Sequence, residues 1–206
     1  MDKKQYTITI DGPVGAGKST VARRVADRLG YLYIDSGAMY RAVTLAALRS
    51  QVDLHNQDDL ADLIREIDIR LESSANGSRT ICNGEDVSEL IRDPEVSRNT
   101  SPVSETAAVR DRLVELQRDM ALNTSIVMEG RDIGTVVFPD ANYKFFLIAD
   151  PEERANRRHK ELCQKGHFQH YESVKEELLE RDRRDTSRAI APLQRATNAI
   201  EIDTTS

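Results

Sequence analysis

Tyr6-Thr7-Ile8-Thr9-Ile10 followed by Asp11-Gly12-Pro13-Val14-Gly15-Ala16-Gly17-Lys18-Ser19-Thr20 is the stretch on which the fold turns. Its first five residues read as a short β-rich strand, and Gly12 to Ser19 matches G-x-x-x-x-G-K-[S/T] at every constrained position. A helical period begins at Gly17 or Lys18, so the pattern sits where a strand turns into a helix. That setting explains the residue types. Glycines let successive backbone N–H groups converge on phosphate oxygens, and the helix N-terminus adds partial positive charge. Lys18 is placed to reach β and γ phosphates, and the Ser19 hydroxyl to face Mg²⁺. The stretch Gly12–Thr20 is therefore the candidate nucleotide-phosphate site.

Outward from this point, short β-rich runs alternate with longer amphipathic stretches, the pattern of a parallel sheet covered by helices. Expected strands are Tyr6–Ile10, Tyr31–Ile34, Ser125–Met128, Tyr143–Ile148 and Ala199–Ile202. The first helix is expected to turn Val21, Val25 and Leu29 inward and to end at Gly30. A second spans about Ala38–Leu48. A third, about Pro102–Leu122, aligns Val109, Leu113, Leu116 and Met120, and Asp150-Pro151-Glu152 caps a fourth. From Val52 to Thr100 the rhythm breaks into a capped helix after Asn56 and two β-runs, Ile67–Leu71 and Ser78–Cys82, with Asn83-Gly84 as a hairpin turn: a small α+β insertion. Lys160–Tyr171 is polar, holds Gly166, shows neither period, and reads as a mobile lid or a surface loop.

The bulk properties fit an ordinary folded domain. The chain has 206 residues, 39% hydrophobic and 31% charged, which excludes disordered and low-complexity classes. Two distant cysteines, Cys82 and Cys163, exclude a disulfide framework or a paired-cysteine zinc knuckle. No apolar run approaches a membrane span, and Met1-Asp2-Lys3-Lys4 leads into the first strand with no signal-peptide core, so a cytoplasmic location is expected. A formal charge of −6 argues against general binding to nucleic acid or anionic membrane. Any anionic ligand must be met locally, and of 29 basic residues 22 are Arg, whose planar fork suits phosphate.

Further motifs fall at strand ends. Asp35-Ser36-Gly37-Ala38-Met39-Tyr40-Arg41 follows the second strand and Glu129-Gly130-Arg131-Asp132-Ile133-Gly134 the third, each bringing an Arg and an acid to the sheet edge that bears Lys18. On a helix, Arg181, Asp185 and Arg188 share one face, although such charge runs are also what a solvated helix shows. Arg154, Arg157 and Arg158 are open to the same two readings: closing over transferring phosphates, or plain solvation. The guanine-reading N-K-x-D of switch GTPases is absent.

These residues carry a resemblance. From Tyr6 to Thr205 the chain is similar to the bacterial cytidylate kinases, nucleoside monophosphate kinases, through Ile10–Thr20, Asp35–Arg41, the segment around Ser101, Val109-Arg110, Glu129–Gly134, Arg181–Arg188 and Ala191–Leu193. The resemblance implies a P-loop kinase fold of α/β class: a five-stranded parallel sheet flanked by helices, with an α+β monophosphate-binding insertion and a lid. It divides a single unit of residues 1–206 into a core (1–37, 101–152, 172–206), an insertion (about 38–100) and a lid (about 153–171). It also implies one more helix after the last strand.

The activity implied is phosphoryl transfer from ATP, with Mg²⁺, to CMP and dCMP by a monomer. Ser101, Arg110 and Asp132 would surround the cytosine, with Ser36 nearby. Arg41, Arg131 and Arg188 would hold the acceptor phosphate, and Arg181 and Asp185 the ribose. Lys18, Arg131 and Arg188 would act on the transferring group, and Ser19 on the metal. The chemistry agrees: a carboxylate such as Asp132 can accept from the cytosine amino group, and Arg and hydroxyl donors suit its ring acceptors. Rival readings are a kinase of another small acceptor and a nucleotide-binding regulator. His159, Cys163, His167 and His170 across the lid are no feature of the family, and their spacing is a poor match to zinc ligands.

Overall fold

A computed structural model describes residues 5–74 and 77–206; Met1–Lys4, on which the leader reading rests, and Ala75–Asn76 lie outside it. Five strands form the main sheet: β1 (Thr7–Asp11), β2 (Leu32–Asp35), β6 (Ile126–Gly130), β7 (Tyr143–Ile148) and β8 (Ile200–Asp203). Their order is β2-β6-β1-β7-β8, and every pairing is parallel. Each expected strand lies within a residue or two of its observed position. Parallel register does the essential work for the site: Asp35 and Ile10 both stand opposite Glu129, and Asp11 stands opposite Gly130, so three acids converge at one sheet edge.

Helix α1 (Lys18–Leu29) starts on Gly17 in left-handed conformation and ends on Gly30, also left-handed. Its inward stripe is Ala22 and Ala26, not the expected Val21, Val25 and Leu29. Small side chains let the helix lie close on the sheet, so the valines reach only its flanks and Leu29 is left 49% exposed. Helix α2 (Ser36–Arg49) begins directly at the end of β2, capped by Asp35, whose side chain accepts from the Ala38 N–H.

Helix α3 (Gln57–Glu66) is capped by Asn56, and β3 (Ile69–Ser74), β4 (Gly77–Cys82) and β5 (Glu85–Asp86) make a small antiparallel sheet. Asn83 and Gly84, both at positive φ, form the expected tight turn, which joins β4 to β5. The single helix expected from Pro102 is instead two, α4 (Pro94–Glu105) and α5 (Ala107–Asp119). Thr106 is extended at φ −76°, ψ 120°, which breaks the run, and Pro102 lies inside α4 rather than at its start. The true start is Asp93-Pro94, a cap followed by proline.

The same signal opens α6 (Pro151–Gln164) at Asp150-Pro151, as expected. Because α6 runs to Gln164 and α7 (Tyr171–Ser187) starts at Tyr171, the aperiodic segment is only residues 165–170, and Lys160–Gln164 is helical. One core fills the space between α2, α3, α5 and the small sheet, centred on Met39, Val43, Leu60 and Leu113. A second, of Ile8, Ile10, Val127 and Leu147 under α1, fixes the main sheet beneath the phosphate loop. Among the described residues no helix is long and apolar enough to cross a membrane.

Candidate active site

The turn from β1 into α1 is held open by glycine. Gly12, at φ 148°, lies against the Leu147 carbonyl with no room for a Cβ; at Gly15, φ 77°, a Cβ would come within 2.9 Å of the Arg154 backbone oxygen. Lys18 is buried and donates from Nζ to the Pro13 carbonyl oxygen at 2.8 Å. Burial lowers its pKa to about 7, the Arg131 charge adds to the fall, and Glu129 and Asp11 oppose it. Among the described residues no carboxylate makes a salt bridge to this amine, a place that a phosphate would fill.

A cleft of about 550 Å³ runs from this loop across the sheet edge. Val14, Gly15, Gly17, Lys18, Ser19 and Thr20 line one end. Gly12, Pro13 and Ala16 do not: Ala16 is fully buried, and the other two shape the loop from behind. All nine residues expected on the acceptor side, Ser36, Arg41, Ser101, Arg110, Arg131, Asp132, Arg181, Asp185 and Arg188, line the same cleft.

Within it the charges are paired in sets. Asp132 is sandwiched by two buried guanidiniums: Arg110 donates from Nη2 to Oδ2, and Arg188 from Nη2 to Oδ1 at 3.4 Å. Arg110 also reaches the Ser104 carbonyl at 3.3 Å and lies 5.8 Å from the Tyr40 ring centre, while Arg188 Nε donates to the Ala191 carbonyl at 2.6 Å. Arg188 thus lies on Asp132 at the wall of the cleft. Arg131 donates from Nε to Asp185 Oδ2 at 2.8 Å, so Asp185 is tied to an arginine. Burial works against the Asp185 charge, but Arg131 and Arg181 hold its pKa below the ordinary carboxylate value. Arg181 Nε is buried without a partner, and burial together with the Arg131 charge pulls Arg181 down to about 10. Arg41 donates to Asp35 at 2.9 Å, and the Ser36 hydroxyl to the Glu129 carbonyl at 2.6 Å.

Several participants escaped sequence reasoning. Glu129 accepts from the Tyr33 hydroxyl at 2.6 Å; burial raises its pKa, the Asp35 charge adds to the rise, and Lys18 and Ser19 counter it. Asp35, Glu129 and the Ser19 hydroxyl are hard oxygen donors gathered beside the phosphate loop, a set that fits Mg²⁺. A strand-end acid opposite β1 is the signal that could have found Glu129. Arg154 neither faces phosphate nor is solvated: buried, it donates to the carbonyls of Ala149 (3.0 Å) and Val14 (3.1 Å) and to Asp182 (2.5 Å). It pins the phosphate loop to α6 and α7. Arg157 reaches the Thr204 carbonyl at 2.5 Å, and Arg158 lines the cleft. His159 Nε2 lies 3.0 Å from the Gln169 carbonyl and 3.8 Å from Cys163 Sγ. Among the described residues no three His, Cys, Asp or Glu side chains are grouped to hold a metal.

Comparison with known proteins points to one family. A family model described as cytidylate kinase matches residues 8–206. A cytidylate kinase of Bacillus cereus (strain G9842) is 48% identical over 206 residues, covering 100% of this chain and 91% of the relative. One from Anoxybacillus flavithermus is 49% identical over 204 residues, covering 99% and 91%. Among solved structures, an uncharacterized protein from Eubacterium ventriosum shares the fold alone, with 12% identity, a TM-score of 0.50, and coverage of 98% of this chain and 91% of that one. A P-loop facing an arginine-clamped carboxylate, in a sequence matched along nearly its whole length, places this chain in the cytidylate kinase family.

Proposed function

We propose that the chain transfers the γ-phosphoryl group of ATP to CMP and dCMP, giving ADP with CDP or dCDP. The observation that carries this reading is one continuous cleft with Lys18 at one end and Asp132, held by Arg110 and Arg188, at the other. In the reaction the P-loop amides and Lys18 bind the donor phosphates, and Arg131, Arg41 and Arg181 gather charge around the acceptor phosphate. Asp132, Arg110, Ser101 and, beside them, Ser36 read the base, with Arg188 steadying Asp132. Asp185 faces the ribose while orienting Arg131. No side chain forms a covalent bond: catalysis is alignment of the two phosphates and stabilisation of the charge that spreads during transfer.

Ser19, with Asp35 and Glu129 behind it, would hold Mg²⁺, which when bound neutralises charge on the donor phosphates. Residues 38–100 would close on the monophosphate and 153–171 on the donor, excluding water so that ATP is not simply hydrolysed. A cytoplasmic monomer acting on nucleotides rather than nucleic acid completes the reading, consistent with two unpaired cysteines and the acidic charge.

The test is a steady-state comparison of ATP turnover against CMP, dCMP, UMP, AMP and GMP. CMP and dCMP should give the highest kcat/KM. Turnover independent of any acceptor would indicate a regulator with weak hydrolysis, and preference for another monophosphate would move the reading to that acceptor.

A further inference from the structure

Asp11 has no part in the mechanism just described, yet it is among the most constrained groups in the molecule. It is the last residue of β1, is 4% exposed, and directly precedes the phosphate-binding loop. Its two oxygens accept from consecutive backbone amides, Oδ1 from Ile133 N–H at 2.9 Å and Oδ2 from Gly134 N–H at 2.7 Å. These amides open the wide turn Ile133–Val137, in which Phe138 N–H donates five residues back to the Ile133 carbonyl at 2.7 Å. The two residues just before that turn are Arg131 and Asp132.

The contact is a fitted one. A Cβ on residue 134 would come within 2.9 Å of Thr9 Oγ1 and 3.3 Å of Asp11 Oδ2, so a side chain there would crowd the contact. Thr9 Oγ1 makes no hydrogen bond, and the two amides are held by Asp11. Holding a buried carboxylate here is costly: burial raises Asp11 to about 6, the Asp132 charge adds to the rise, and the two amides and Lys18 oppose it.

We propose that Asp11 is a positioning residue for the acceptor, and the proposal rests on the function assigned above. Asp11 ties the loop bearing Arg131 and Asp132 to the strand that ends in the phosphate loop, and so sets the spacing between Lys18 and the acceptor groups. It touches neither nucleotide. Loss of the carboxylate frees two buried amides, and Arg131 and Asp132 shift with them.

Asp11→Asn keeps the shape but can accept only through its single oxygen. The experiment measures kcat/KM for the acceptor in Asp11→Asn and in Gly134→Ala, which crowds the same contact from the other side, together with the Kd of ATP in each. Acceptor kcat/KM should fall at least fivefold in both variants, while the Kd of ATP changes less than threefold. Asp11 merely bracing the P-loop would instead move the ATP Kd in step with acceptor kcat/KM. A parallel loss of ATP affinity overturns the proposal, as does an acceptor effect below fivefold. Should Asp11→Asn fail to fold by circular dichroism, Gly134→Ala decides alone by the same criteria. The acceptor used is the one the wild type prefers, so a wrong acceptor assignment shows in the wild type, and a wrong role for Asp11 only in the variants.

Discussion

Arg131 and Asp185, fifty-four residues apart in sequence, meet through a 2.8 Å bond from Nε to Oδ2. The pair makes Asp185 answerable for the aim of an arginine as well as for any contact with a sugar. Asp185→Ala should therefore lower kcat/KM for both CMP and dCMP by about tenfold or more, since a hydrogen bond between charged groups is worth roughly 1.5–3 kcal/mol. CMP should lose a further severalfold through its 2′-hydroxyl. Equal losses for the two, measured side by side, would assign Asp185 to Arg131 alone.

Base choice should reside in Asp132. Uracil presents an acceptor where cytosine presents an amino donor, and two facing acceptors leave a buried polar group unsatisfied at a cost of about 1–3 kcal/mol. The wild type is expected to reject UMP by one to two decades in kcat/KM, and Asp132→Asn to narrow that ratio while lowering CMP turnover. An unchanged ratio would move the reader to Ser101, Ser36 or Arg110.

Lys18 should report on donor binding through protons. Burial and Arg131 lower its pKa to about 7, and a phosphate beside it must raise that value again. Above pH 7 the free protein holds the amine mostly neutral, so ATP binding takes up a proton and weakens as pH rises. Calorimetry at pH 8 in two buffers of different ionisation enthalpy should show uptake approaching one proton, falling toward zero at pH 6. Lys18→Met should abolish the uptake and reduce kcat by about a hundredfold or more.

Arg154 predicts a stability effect. Its pairing with Asp182 is largely buried, and removing one partner of a fully buried pair costs about 3–5 kcal/mol, so about 3 kcal/mol is expected here. Arg154→Met should lower Tm by about 10 °C and weaken ATP binding through Val14. A change in kcat with Tm unaltered would instead mark Arg154 as a phosphate-binding group.

The phosphate loop and the five strands could be read from the sequence because their signals are local: a glycine-lysine string, β-rich runs, caps at Asn56 and Asp150. The break at Thr106 could not, since the period of Val109, Leu113 and Leu116 gives no warning of an extended residue just upstream, although Asp93-Pro94 carried the start signal seen again at Asp150-Pro151. The residues expected on the acceptor side do line one cleft, but their pairings were hidden. Whether Arg188 faces phosphate or Asp132, and whether Arg154 is solvated or buried, depends on which element packs against it. The three acids Asp11, Asp35 and Glu129 converge only because parallel strands align their ends.

Arg154 also has a thermodynamic consequence. One guanidinium holds Val14 of the phosphate loop and Asp182 of α7, which is one turn from Asp185, the partner of Arg131. Free-energy coupling through such a shared group is reciprocal. Whatever factor by which ATP tightens the hold on CMP, CMP must tighten the hold on ATP by the same factor, and substituting this one side chain should bring both factors toward unity together.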